Sequence, residues 1–67
     1  MAISELLQNL LDEKDWNLTE AAQHSKVCRR TLQEMLYHNE TNLTVRTIKK
    51  LAAAFKVDPE LIFRALL

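Results

Sequence analysis

The ten residues CRRTLQEMLY, 28 to 37, bring two arginines, a glutamine, a glutamate and a tyrosine close together. An arginine can fork onto guanine O6 and N7, a glutamine can pair with adenine, and a glutamate can accept from cytosine N4. At 100° per residue, a helix over this stretch puts Leu32, Met35 and Leu36 on one side. Arg30, Gln33, Glu34 and Tyr37 then point away, with Arg29 at the margin and Cys28 at the start. The same side chains on an isolated helix would read as a solvated face. What precedes and follows them decides between the two.

Other chemistry is poorly supported. His24, Cys28 and His38 are scattered, whereas zinc sites show paired Cys or His at short spacing and four ligands. A Cys–His pair lacks a third group to orient it. Asp12, Glu13 and Asp15 form an exposed charge run, not an acid–base pair in a cleft. The chain is therefore expected to be no enzyme and to need no cofactor or metal.

With 67 residues, 48% of them apolar, the chain suffices for one small core, taken as a single domain over residues 1–67. One proline, no glycine and many Leu, Ala, Lys and Glu favour an all-α fold. A single cysteine excludes an internal disulfide and suits a reducing cytoplasm. No apolar run approaches the ~20 residues of a membrane span, and no signal peptide is evident. Net charge is zero, but unevenly spread: residues 1–20 hold five acids against one lysine, and residues 21–56 hold seven bases against two acids. Such asymmetry gives a neutral protein one basic face.

Five helices are expected. Ile3, Leu6, Leu7, Leu10 and Leu11 repeat at i, i+3, i+4, i+7, i+8 over about residues 2–13. Asn17-Leu18-Thr19-Glu20 reads as an N-cap with a capping glutamate, opening a short helix to about Ser25. After a turn at Val27, the third helix spans about Arg29 to Tyr37, followed by the polar loop HNETN. Thr44 caps a fourth helix with a core stripe of Val45, Ile48, Leu51, Ala52 and Phe55. Asp58-Pro59 starts the last helix, which Leu61 and Ile62 suffice to dock. Phe63, Leu66 and Leu67 are then left over as a two-fold interface, with closure of the core as the alternative.

The segments NLTEAAQHSKVC and TIKKLAAAFKVDPEL resemble the Cro/repressor-type (XRE) helix-turn-helix family, whose members read T-x-x-x-L-A-x-x-x-G-V-S and T-L-x-x-I-A-x-A-L-G-V there. The reading unit alone also resembles the Fis-type helix-turn-helix, but the two downstream helices favour the XRE type. The resemblance covers nearly the whole chain and implies a lambda-repressor-like fold of five helices. Both family glycines are lysines here, Lys26 and Lys56. Left-handed backbone costs a non-glycine residue ~1–2 kcal/mol, of which a lysine at a helix C-terminus recovers ~0.3–1 kcal/mol. Cys28 replaces the usual capping serine, and Leu18 replaces a glutamine that often contacts DNA.

The resemblance implies a partner, double-stranded DNA. Base contacts are expected from Cys28, Arg29, Arg30, Gln33, Glu34 and Tyr37. Phosphate contacts are expected from Asn17, Thr19, Asn39, Asn42, Thr44 and Arg46, whereas Lys49 and Lys50 read as solvated. The chain is expected to be a homodimeric transcription regulator, a phage Cro-like repressor or a controller protein. It would bind an inverted-repeat operator, with no membrane association and no small-molecule ligand. The alternatives are an antitoxin-type protein with a protein partner, or the DNA-binding part of a longer repressor.

Overall fold

Each helix starts where an oxygen is at hand for its free N–H groups, with one exception. The computed structural model describes residues 2–67. Helices α1 (Ile3–Lys14), α2 (Leu18–Ser25), α3 (Arg29–His38), α4 (Val45–Phe55) and α5 (Pro59–Leu66) follow in order. No strand occurs among the described residues, and no helix among them is long and apolar enough to cross a membrane. At α2, Asn17 Oδ1 accepts the Glu20 N–H at 2.8 Å and Glu20 Oε1 accepts the Asn17 N–H at 3.2 Å, a complete capping box. Thr44 Oγ1 accepts the Thr47 N–H at α4, and Asp58 Oδ1 the Glu60 N–H at α5. Cys28 gives α3 no side-chain cap.

Helix α1 is capped from elsewhere in the chain. Ala2 has no side chain to offer, and Asn39 Oδ1 accepts the Ser4 N–H at 3.1 Å across 35 residues. Asn39 ends α3, so one residue closes one helix and opens another.

Four helices end on a left-handed residue, and none is glycine: Asp15 (φ 58°), Lys26 (φ 60°), Asn39 (φ 51°) and Lys56 (φ 56°). Asp and Asn tolerate this region through short polar side chains, whereas Lys does not. After Asp15 and Lys56 the chain closes in Schellman fashion, with Trp16 N–H to Leu11 O and Val57 N–H to Ala52 O, each 3.0 Å.

Packing follows from the apolar rows. α1 packs on α3 and α5, α4 on α5 and α2, and α2 on α3, so the principal contacts form a ring. Ile3, Leu7, Leu32, Met35, Ile48, Leu51 and Ile62 are fully buried inside it. A void of about 10 Å³ among Ile3, Leu7, Met35, Leu51 and their neighbours has entirely apolar walls. It has room for nothing larger than about one water, and such walls leave it dry.

Two expectations about the core are corrected. Val45 is 53% exposed. It extends the α4 row by one turn at the helix start, beyond the edge of the core, where Leu43 from the preceding loop packs instead. Leu61 is 42% exposed and does not help to dock α5. It stands 100° round the helix from buried Ile62, whose row continues through Leu66. Trp16, which no periodic row contains, covers the core edge. It stacks on His24 with ring centroids 4.3 Å apart and lies 5.3 Å from Phe55.

The helix ends yield two expected outcomes in urea unfolding. Lys26→Gly and Lys56→Gly relieve the left-handed strain and each stabilise the fold by up to ~1 kcal/mol once the lost dipole contact and the chain entropy of glycine are subtracted. Neutral or destabilising glycines would remove the strain argument. Asn39→Gly has the opposite sign, losing ~1 kcal/mol, because the cap on Ser4 disappears while the backbone gains little. A stabilised Asn39→Gly variant would show that this hydrogen bond contributes nothing.

Candidate functional site

The junction between α2 and α3 is three residues, Lys26, Val27 and Cys28. Its geometry is set by a buried serine that the sequence reading did not single out. Ser25 Oγ donates to Ala21 O at 2.6 Å and accepts the Val27 N–H at 3.2 Å, and the residue is 5% exposed. Lys26 N–H returns to Ala22 O at 2.8 Å. Val27, 6% exposed, anchors the turn in the core. The last turn of α2 and the junction as far as Val27 are therefore tied by side chain, backbone and burial together. A serine beside a glycine-like slot is the only sequence signal, because Ser bonds readily to nearby backbone.

That junction turns one face of α3 outward. Arg29, Arg30 and Tyr37 are exposed, Gln33 and Glu34 are half-buried, and Cys28 is exposed at the helix start. Tyr37 is 68% exposed, so its ring lies in solvent and not against the core. Arg30 Nε lies 3.4 Å from Glu34 Oε1, with the two side chains 84% and 43% exposed. An i,i+4 pair this open contributes only ~0.3–0.5 kcal/mol. A bidentate contact to a base contributes ~1–3 kcal/mol, so the pair would not hold Arg30 back from one.

The residues read as phosphate contacts divide into two sets. Asn17, Asn39 and Thr44 use their side-chain oxygens as helix caps; the two amide NH2 groups are left to donate, whereas the Thr44 hydroxyl also meets Thr47 Oγ1 at 3.0 Å. Thr19 and Arg46 are exposed on α2 and α4. Asn42 is exposed in the loop, its backbone N–H held by Glu40 Oε1 at 2.8 Å. Asn39 sits against the start of α1, at the far end of α3 from Cys28.

On α5, Phe63 and Leu67 are exposed, while Leu66 packs against the core as the alternative reading had it. Leu61, which had been assigned to the core, joins the exposed set. Glu60 and Arg64 pair at 3.1 Å between them.

The scattered metal candidates stay apart: His24 lies on Trp16, while Cys28 and His38 bracket α3. No group of three or more His, Cys, Asp or Glu suited to a metal ion occurs among the described residues. Comparison with known protein families, curated proteins and solved structures finds no match to this chain.

Proposed function

We propose that the chain is a sequence-specific DNA-binding regulator of the lambda-repressor-like (XRE) helix-turn-helix kind. The observation that carries the reading is the α2–α3 junction: a Ser25-bonded turn that presents Arg29, Arg30, Gln33 and Glu34 on the outer side of a short, firmly seated helix. Donors and acceptors so placed match the base edges of the major groove, and a helix fits that groove. Arg30 and Arg29 read guanine, Gln33 reads adenine, and Glu34 selects against sequences that place phosphate or acceptors near it. Thr19, Asn42 and Arg46 bind backbone phosphate and fix the register. Exposed Cys28 and Tyr37 border the reading residues at either end of α3.

The active species in this reading is a homodimer, joined through α5. Its exposed Phe63, Leu67 and Leu61 flank the Glu60–Arg64 pair. An antiparallel two-fold pairing of α5 puts Glu60 of one copy opposite Arg64 of the other, so the surface complements itself in charge as well as in apolar area. Two reading helices about 34 Å apart then match an inverted repeat. Occupying such an operator blocks or guides polymerase.

Binding-site selection from random duplexes is expected to yield an inverted-repeat consensus. Arg30→Ala relaxes base preference at one position per half-site and costs ~1–3 kcal/mol there. Absence of any consensus across salt concentrations would end the regulator reading. Sedimentation supplies the second check: wild type runs as a dimer and Phe63→Glu as a monomer. An unchanged mass would move the interface away from α5.

A further inference from the structure

The exposed side of α4 carries a surface of which the DNA reading uses only Arg46, at its edge. Val45, Lys49 and Ala53 form one row at i, i+4 and i+8, and Arg46 and Lys50 the row beside it. All five are exposed and line an open groove of about 490 Å³. Helix α4 contains no acid. The ion pairs among the described residues are Arg30–Glu34 and Arg64–Glu60, so these three cations have no acidic partner. The patch is thus cationic, yet it holds an exposed valine and alanine two turns apart.

We propose that this face docks an acidic amphipathic helix of another protein. Surface ion pairs are individually weak, so three cations alone would not hold a helix in register. An apolar contact at Val45 and Ala53, excluding water between the charges, supplies what they lack. The occupant therefore presents apolar side chains along one row, with glutamates or aspartates beside them.

Two other occupants fit less well. A phosphodiester backbone satisfies the cations but gains nothing from Val45 or Ala53. A second copy offers the acidic run Asp12, Glu13 and Asp15, but the apolar residues of that helix, Ile3, Leu6, Leu7, Leu10 and Leu11, are all buried. Helix α5 has exposed apolar groups, but its Glu60 is already paired and its Arg64 would meet like charge. The inference shares Arg46 with the DNA reading and otherwise stands apart from it, since α2 lies between α3 and α4 in the ring of contacts.

The test is titration of the whole chain with a lactam-bridged helical peptide, followed through backbone amide shifts. The peptide carries two leucines two turns apart on one face, flanked by glutamates. Its isomer has the same composition with the leucines on opposite faces. Shifts are expected to cluster on residues 45 to 53, and the isomer to bind at least about tenfold more weakly. Lys49→Glu with Lys50→Glu, and separately Val45→Asp, should each weaken binding by a similar factor. All three positions are exposed, and an acid at the first turn of α4 suits the helix dipole. Unchanged circular dichroism confirms that the variants fold. Equal binding of both isomers, or stronger shifts of Lys49, Lys50 and Ala53 by a random-sequence duplex, would make the face a general polyanion surface and overturn the proposal; a duplex shift confined to Arg46 belongs to the DNA reading. A rise in mass without peptide that Lys49→Glu abolishes would assign the face to a second copy, with the same effect. No shift on α4 also overturns it.

Discussion

A chain without glycine must still reverse direction at the end of every helix, and that constraint shapes much of this structure. Four residues with side chains occupy the left-handed region. Asp15 and Asn39 do so cheaply, but Lys26 and Lys56 each carry a strain of ~1–2 kcal/mol. A domain this small has a total stability of only ~5 kcal/mol. The strain is sustained because each reversal is held by more than its own residue. The two Schellman closures satisfy carbonyls at the ends of α1 and α4. The buried Val27 pulls the Lys26 turn inward. Asn39 is useful in two places at once, as the bend after α3 and the cap of α1.

The same logic explains how α3 is held without a capping side chain. A serine or threonine at position 28 would tie the first N–H groups of the helix to its own oxygen. Cys28 does not. Ser25 instead fixes the approach to the helix one residue earlier, through the Val27 N–H. Leu32 and Met35 then seat α3 on the core with almost no exposed surface. Position is thus set from the turn and the buried face, and the outer side chains are left free of structural duties apart from a weak Arg30–Glu34 pair.

What the sequence made legible, and what it hid, divides along the same physical line. Local signals were readable: the Asn17 capping box, the Asp58-Pro59 start, the apolar rows of α1 and α3, and the glycine-like slots at Lys26 and Lys56. Each depends on residues within one or two turns. Contacts between distant segments were not readable. Nothing near Asn39 points to Ser4, and nothing in the spacing of Trp16 and His24 announces a stack. Row membership also failed at helix ends. Val45 belongs to the apolar row of α4 by periodicity, but the core stops one turn short of it. On α5 the apolar residues Leu61, Ile62, Phe63, Leu66 and Leu67 spread over most of the circumference, so periodicity alone did not single out the row of Ile62 and Leu66. The helix packed beneath decides, and it takes Leu66. For the candidate site, the outward residues of α3 followed from angle alone, whereas Ser25, which positions them, looked like an ordinary helix-terminal serine.

The placement of α2 determines how the two outward faces, on α3 and α4, affect each other. α2 lies between them and packs on both. It is held at its start by the capping box, along its length by the Trp16 stack on His24, and at its end by Ser25. Trp16 also touches Phe55 of α4, which ties α2 to that side. A ligand on α4 would act on DNA binding at α3 through charge, and directly through Arg46, which both faces use. Neutralising Arg46, Lys49 and Lys50 lowers the positive potential that attracts an anion, and that effect fades over a Debye length of ~8–10 Å. With the whole domain measuring 26 × 22 × 20 Å, such coupling is felt across the molecule at low salt and largely vanishes at physiological ionic strength. At physiological ionic strength the coupling that persists is therefore the competition for Arg46, which belongs to both faces.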